Sequence, residues 1–494
     1  MKLQELLMDS EILEIHNAIP DIDIKHIAYN SRKVTPGSMF VAIKGFKTDG
    51  HKYISQAIEA GAVLIVYEHA LDSYADGVMY VKVANARHML GTMASRFYGH
   101  PSEKLVVSGV TGTNGKTSVT CMLKDIFETA GRKCGLMGTI NNQIGHRILD
   151  NAGRTTPDSL EVQEIIGEMV EAGCDNLMME VSSHALDLDR VNGVAFDYAI
   201  FTNLTQDHLD YHKTFENYFE AKAKLFTYSR KANIINCDGE WGRKLYDRCI
   251  ADSPAATYSY GLNSQDYDFY AKDMNYTMEG THFTLVTPAG ETLVFLNMAG
   301  EVMVANALAA AANAYLEGVD TAIIVQALGH LSGVEGRMER LHLDTDFDII
   351  IDYAHSPDSL EHLLKSVKAM YNGKVYLVFG CNGDRDREKR PIMGRIAGEF
   401  ADYVIVTSDN PASEDPQSII DTVAAAVAEK TDAYETVLRR WDAIYHAVTL
   451  PKAGDVLVLA GKGHEKQETM ATENLYYNEW ETAEEAVRRL KAQK

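Results

Sequence analysis

The run Val106-Val107-Ser108-Gly109-Val110-Thr111-Gly112-Thr113-Asn114-Gly115-Lys116-Thr117-Ser118 reads as a strand, a glycine-rich turn and the start of a helix. That order aims backbone N–H groups and a helix N-terminus at phosphate oxygens. Lys116 would reach the β- and γ-phosphates of a nucleotide, and the Thr117 hydroxyl would ligate Mg²⁺. Val110 fills the first glycine position of the longer G-x-x-x-x-G-K-[ST] pattern, so the motif is the shorter G-x-x-G-K-T. Nucleotide binding is the expectation; a glycine-rich turn carrying a surface lysine is the lesser alternative.

Two further groups of residues could act on a bound phosphate. The apolar run Leu177–Met179 ends in Glu180. Ligands of parallel sheets gather beyond the carboxyl ends of strands, where a carboxylate can hold Mg²⁺. His208 and His212 stand at i, i+4 spacing after the run Tyr198–Phe201, a spacing that can bind zinc only on a well-formed helix. Phe215, Tyr218, Phe219, Leu225 and Phe226 then mark one helix face, and Lys222 falls on that face. A buried lysine is costly unless it snorkels, is paired, loses its proton or is modified. Burial disfavours the charged form, and a neutral amine can add CO₂ to form an anionic carbamate. On spacing alone snorkelling is the expectation, ahead of carbamylation.

The elements that must position these groups belong to a soluble α/β protein. The chain has 494 residues, 46% of them hydrophobic and 24% charged, with a net charge of −23. Disorder and a basic nucleic-acid groove are therefore not expected. Six cysteines without a C-x-x-C pair, together with an acidic, amphipathic N-terminus, point to a cytoplasmic protein without a signal peptide. The longest uncharged stretch, Val302–Leu316, is too short for membrane insertion. Short β runs at Met39–Ile43, Ala62–Tyr67 and Met79–Val83 predict a small N-terminal α/β unit. A phosphate-loop unit follows, with a helix over Ser118–Thr129, a hairpin region around 257–300 and an Ala-rich helix over Val304–Leu316. From about Gly336, apolar runs at Ile349–Ile351, Val375–Phe379, Tyr403–Val406 and Val456–Leu459 alternate with helical segments, the pattern of βαβ units.

The chain resembles the Mur ligase family over essentially its whole length. The resemblance rests on GTNGKTS (112–118), TTPD (155–158), MEVSSHALDLDRV (179–191), NLTQDHLDYH (203–212), EAKAKLF (220–226), EGRME (335–339), DYAHSPDSL (352–360), GDRDREKRP (383–391), DNPASEDP (409–416) and GKGHE (461–465), in the family's order. It implies three domains: a small N-terminal α/β UDP-binding domain at 1–98, a central P-loop ATPase domain at 99–333, and a C-terminal Rossmann-like domain at 334–494 that takes the incoming amino acid. The central sheet is expected to be mostly parallel with a small antiparallel region.

The resemblance also implies roles. Gly112, Thr113, Asn114, Gly115, Lys116, Thr117 and Ser118 would grip ATP, helped by Asn306, Arg337, Asp352 and His355. Thr117, Glu180, His208 and Lys222 as a carbamate would hold Mg²⁺, with Lys116, Glu180, His208 and Lys222 at the catalytic centre. Ser31, Thr155, Thr156, Ser182 and Arg190 match positions that hold the UDP-sugar peptide, and Arg385, Asp409, Asn410, Ala412, Gly461 and Glu465 those around the added amino acid. The implied reaction joins an amino acid to the D-Glu γ-carboxylate of UDP-MurNAc-L-Ala-D-Glu through an acyl phosphate, carried out by a monomer. Ala412 stands where members adding meso-diaminopimelate carry Arg, and its neighbours Asp409, Glu414 and Asp415 are acidic. L-lysine is therefore the expected amino acid, ahead of meso-diaminopimelate or L-ornithine. Asn30, Val302-Met303 and Leu188 depart from the family pattern. A folate polyglutamate ligase, a catalytically silent UDP-sugar-binding paralogue and a P-loop GTPase are the competing readings. The N-terminal unit, the intact Lys116, Glu180, His208 and Lys222, and the absence of an N-K-x-D element argue against them in turn.

Overall fold

The computed structural model describes residues 1–492 apart from 9, 20–21, 46–47, 150–153, 278 and 332. By its internal packing the chain divides into two compact units. One holds Met1–Gly109, Arg132–Ala199 and Lys224–Lys231; the other holds Val110–Gly131, Ile200–Ala223 and Ala232–Lys494.

The first unit begins with a five-stranded sheet in the order Ile12–His16, Met79–Val83, Ala62–Tyr67, Ser38–Val41, His26–Ala28. The last four strands are parallel and Ile12–His16 is antiparallel to Met79–Val83. The three inner strands are buried on both faces, as helix-covered parallel strands should be. Met39, Val41, Leu64 and Val66 pack with Met89, Leu90 and Met93 of the helix Ala86–Phe97, while Phe40, Ile65 and Tyr80 form a second cluster with Ala57. Farther on, Asn176–Glu180 runs parallel to Cys134–Met137, which pairs with the antiparallel ribbon Asn142–Ile144 and Arg147–Leu149. Asn176–Glu180 is buried throughout, so its carboxyl end presents Glu180 from a fixed base.

The second unit opens with the phosphate loop and the helix Lys116–Thr129, against which Glu301–Leu316 packs. Ala307 and Ala309–Ala312 of that second helix are fully or almost fully buried, and their small side chains allow close approach. Ala232–Asn236, Ala256–Gly261 and Phe269–Tyr276 are parallel neighbours, and Thr281–Thr287 and Gly290–Leu296 continue as the antiparallel hairpin expected near 257–300. The C-terminal sheet has the order Glu339–Leu341, Asp348–Asp352, Val456–Ala460, Val375–Phe379, Tyr403–Thr407, Tyr434–Val437 and is parallel except at Glu339–Leu341. Helices cover both its faces, with Leu360, Leu364, Met393 and Val423 on one side and Ala443, Ile444, Ala483 and Val487 on the other. The helix Pro357–Met370 starts at a reciprocal Ser356/Ser359 capping box with Pro at its first position. No helix among the described residues is long and apolar enough to cross a membrane.

Candidate active site

In the second unit the loop 112–115 is tied down by its own neighbours. Thr113 N–H donates to the Asn203 carbonyl at 3.0 Å, Asn114 N–H to Asn203 Oδ1 at 2.9 Å, and Thr202 Oγ1 to the Asn114 carbonyl at 2.5 Å. Gly115 sits at φ +87°, and a Cβ there would run into Asn306 Oδ1. Glycine is therefore required both for the turn and for the close approach. Beyond the loop lies a cavity of about 330 Å³ whose walls include Trp241, Tyr260, Met303 and His362. Asn114, Gly115, Ser118, Asn306, Arg337 and Asp352 from the predicted nucleotide set also line it. Arg337 stacks over the Tyr353 ring at 4.6 Å and reaches Thr117 Oγ1 at 3.5 Å. Asp352 accepts from the Met338 and Ala354 N–H groups at 2.7 and 2.8 Å, so its carboxylate ties the segment before Glu339–Leu341 to the turn after its own strand. Burial pushes that carboxyl up.

Lys222 is 1% exposed, and its Nζ donates to the Gly112 carbonyl at 2.7 Å from above the Tyr218 ring. Burial, together with the Lys116 ammonium, holds Lys222 well below the usual lysine range. Snorkelling is thus excluded, because the amine ends inside the protein on a backbone carbonyl. Next to this pair, Asp207 lies 3.4 Å from His208 Nε2 and 4.0 Å from His355 Nε2. Burial alone would raise the Asp207 carboxyl, but His208, His355 and Lys389 outweigh it and hold the group well below the usual carboxylate range. Burial and Lys389 push His355 down to about 4. Lys389 itself donates to the His355 carbonyl at 2.8 Å. Asp207 and Lys389 lie inside quoted motifs but received no role; a carboxylate preceding a candidate ligand histidine was the available signal for Asp207. His208 is the N-cap of a four-residue helical turn, Leu209–His212, rather than the start of a long helix, so His208 and His212 do not share the helix face a zinc pair needs.

The same unit carries the predicted amino-acid residues. Asn410 Nδ2 donates to Glu465 Oε2 at 2.8 Å, and the Tyr353 hydroxyl to Glu465 Oε1 at 3.2 Å. Burial, then Asp409, pushes the Glu465 carboxyl up. Gly461 N–H donates to the Asp352 carbonyl at 3.0 Å. Ala412 adopts φ +52°, with its N–H donating to the Thr469 carbonyl at 3.0 Å. Arg385 is exposed on the loop before Lys389–Phe400.

In the first unit, Glu180 accepts from Thr139 N–H at 2.8 Å and Thr139 Oγ1 at 2.9 Å, and the same hydroxyl meets Thr155 Oγ1 at 3.0 Å. Thr156 Oγ1 donates to the Glu180 carbonyl at 2.9 Å and accepts from Ser182 N–H at 3.1 Å. Arg190 donates to the Thr156 carbonyl at 3.2 Å and pairs with Asp158 at 3.0 Å. Thr155, Thr156, Ser182, Arg190 and Glu180 therefore form one bonded cluster. Ser31 lies apart from it, bonded to Gln56 at 2.9 Å. Asn30 caps the turn that carries Ser31 by accepting from Arg32 N–H at 3.1 Å, a role an Asp would fill equally. Asp49, His51 and His69 form a group of metal-capable side chains within 4.8 Å of one another. His51 already spends Nδ1 on Asp49 and accepts from Glu68 N–H through Nε2, which ties the loop without an ion.

A phosphate loop at the start of a helix, opening on a walled cavity, is the arrangement of a nucleotide-binding site. Models of the Mur ligase family match most of the chain: the family's catalytic domain at 23–98, its middle domain at 110–314 and its glutamate ligase domain at 336–463. The chain is 41% identical over 491 residues to the UDP-N-acetylmuramoyl-L-alanyl-D-glutamate–2,6-diaminopimelate ligase of Clostridioides difficile, covering 99% of this chain and 100% of that one. It is 43% identical over 495 residues to the ligase of the same name from Clostridium tetani, covering 99% and 100%. A solved structure of a ligase of that name superposes with a TM-score of 0.72 at 29% identity, over 99% of both chains. The chain belongs to the Mur ligase family, whose members are ATP-dependent ligases of peptidoglycan precursor synthesis, and has the family's three-domain α/β fold. The relatives are named for 2,6-diaminopimelate, so the expectation of L-lysine drawn from Ala412 finds no counterpart among them.

Proposed function

We propose that this protein adds 2,6-diaminopimelate, in its meso form, to the D-Glu γ-carboxylate of UDP-MurNAc-L-Ala-D-Glu, consuming ATP. The observation that carries this reading is full-length identity of 41–43% to ligases named for that reaction. Ala412 brings no guanidinium, but other arginines stand on its loop. Arg387 and Arg390 both hold Glu414 on the same loop, at 3.1 and 2.9 Å. Of the two, Arg387 keeps its side chain 71% exposed, so a distal carboxylate would meet a guanidinium there that does not come from residue 412. L-lysine stays as a second reading because Ala412 itself offers no cation.

In this reading 1–98 binds the UDP moiety, 99–333 the ATP and 334–494 the amino acid, in a cytoplasmic monomer. Gly112–Ser118, Asn306 and Arg337 hold the nucleotide, with Asp352 and His355 fixing the loops that face it. Ser31, Thr155, Thr156, Ser182 and Arg190 hold the UDP-sugar peptide. Arg385, Asp409, Asn410, Ala412, Gly461 and Glu465 surround the amino acid. Thr117, Glu180, His208 and carbamylated Lys222 would hold Mg²⁺; hydroxyl and carboxylate oxygens suit this hard cation, and the depressed Lys222 amine suits the carbamate. Mg²⁺ supplies charge neutralisation that lets a carboxylate approach a triphosphate. Lys116 draws charge from the γ-phosphate while the D-Glu carboxylate attacks its phosphorus, releasing ADP and leaving an acyl phosphate. The amino group then attacks the acyl carbon, phosphate leaves, and an amide remains.

The test is phosphate release from ATP with UDP-MurNAc-L-Ala-D-Glu and, in parallel, meso-diaminopimelate, L-lysine or L-ornithine. Dependence on meso-diaminopimelate is expected. Dependence on L-lysine would restore the second reading, and no release with any amine would sink both.

A further inference from the structure

Lys462 has no exposed surface, and its charge is spent entirely on the loops of the amine pocket. Its Nζ donates to Asn410 Oδ1 at 2.6 Å, to the Gln467 carbonyl at 2.7 Å and to Glu465 Oε2 at 3.4 Å. Asn410 Oδ1 also accepts from Thr469 N–H at 2.9 Å, so both donors fall on the oxygen of the amide. The Asn410 amide can then point only one way, with its NH₂ group toward Glu465. With Tyr353 on the other oxygen, the Glu465 carboxylate is held in a single orientation.

Below this layer lies a second buried ion pair. Arg440, also without exposed surface, holds Glu479 through Nε at 3.0 and 3.2 Å and donates to the Ala460 carbonyl at 2.8 Å, two residues before Lys462. The Tyr477 hydroxyl also bonds to Glu479, and its ring lies 5.4 Å from Lys462 Nζ. The position of Lys462 is thus set from beneath as well as from the side. Asp409 completes the pocket differently: it is 2% exposed, neither of its oxygens has a hydrogen-bond partner, and Lys462 Nζ stands 3.6 Å from Oδ1. A buried carboxylate without donors is costly, and a cation with N–H groups relieves that cost.

We propose that Lys462 is the positioning residue of the pocket for the incoming amino acid, orienting Asn410 and Glu465 and standing beside Asp409. The proposal rests on the reading that 409–412 and 461–465 receive that amino acid. Lys462 donates only to protein groups and touches no reacting atom, so it should govern amine affinity rather than carboxylate activation.

Two readouts separate those steps. Phosphate release with ATP and UDP-MurNAc-L-Ala-D-Glu is followed against meso-diaminopimelate concentration. In parallel, without amino acid, hydroxylamine traps the acyl phosphate, its nitrogen displacing phosphate from the acyl carbon to give a hydroxamate. Lys462→Met is expected to raise KM for the amino acid roughly 10- to 100-fold, the loss of charged hydrogen bonds. Hydroxamate formation should stay within about twofold of the unaltered protein. Lys462→Arg, which keeps the charge, should show a smaller rise. An unchanged KM, or an equal loss of amide and hydroxamate in a folded Lys462→Met protein, would overturn the assignment. If that variant does not fold, Lys462→Arg decides: a raised KM with intact hydroxamate formation supports the assignment, and an unchanged KM overturns it. An unaltered protein that forms neither product overturns the functional reading, and this assignment with it, before any variant is made.

Discussion

Lys116 and Lys222 donate to the same acceptor: their Nζ atoms lie 3.0 and 2.7 Å from the carbonyl oxygen of Gly112. Two ammonium groups on one buried carbonyl would repel, and of the two Lys222 is the fully enclosed one. Burial first, and then the Lys116 charge, push the Lys222 amine well below the usual lysine range. Residues 106 positions apart in the sequence thus share one backbone acceptor.

The proposed carbamate on the enclosed Lys222 amine makes a sharp prediction. Lys222→Met and Lys222→Arg should each lower turnover roughly 10²- to 10³-fold, the scale for removing one preorganised charge-stabilising group. The unaltered protein should lose activity in bicarbonate-depleted buffer and regain it on adding bicarbonate, measured as phosphate release. Full activity of Lys222→Arg would show that a carbamate is not needed.

Asp207 touches both His208 and His355, and through them two separate stretches of the second unit. Asp207→Asn removes the anion that orients His208. Loss of such an outer partner costs about 10- to 100-fold in metal affinity. The activity of the variant should therefore need a correspondingly higher Mg²⁺ concentration, with near-normal rates once the metal is saturating. A Mg²⁺ titration that superposes on that of the unaltered protein would rule out this role.

The parallel strands and the Lys222 stripe were legible because buried strands read as continuous apolar runs and a helix repeats every 3.6 residues. Ile12–His16 was not, since at the sheet edge none of its side chains is buried and Ile-Leu-Glu-Ile-His is neither a continuous apolar run nor an alternating one. The motifs 155–158 and 179–191 named Thr155, Thr156, Ser182 and Arg190, but their joint bonding with Glu180 needed Thr139, which no motif contained. Ala412 shows only one position of its loop; that Arg387 and Arg390 reach the same loop from another element is visible only in the fold.

Arg440 and Glu479 make a pair with no solvent on either side. Glu479→Gln leaves a buried guanidinium without its counter-charge, which costs about 3–5 kcal/mol. The C-terminal sheet should then unfold at lower urea concentration, followed by tryptophan fluorescence, since Trp441 stands beside Arg440 and packs on Tyr477. Arg440→Met with Glu479→Leu should recover part of the loss. Stability unchanged in Glu479→Gln would mean that the pair contributes no net stabilisation.

Glu414 offers a test by pH. Hydrogen bonds from Arg390, helped by Asp384 N–H and the Arg387 charge, hold its carboxyl at about 2, below its ordinary 4.5, although burial works in the opposite direction. A carboxyl depressed on folding binds its proton more readily in the unfolded chain, so its stabilising contribution is complete above 4.5 and disappears as pH falls toward 2. Glu414→Gln cannot ionise. The gap in unfolding free energy between the unaltered protein and this variant should be constant from neutral pH to about pH 5 and then shrink as the medium is acidified through the 4.5-to-2 window. Urea denaturation of both proteins at a series of pH values from neutral into that window reads the gap directly. A gap that persists unchanged below pH 4 would mean that Glu414 acts through packing, and that the arginines do not bind its charge as the loop geometry requires.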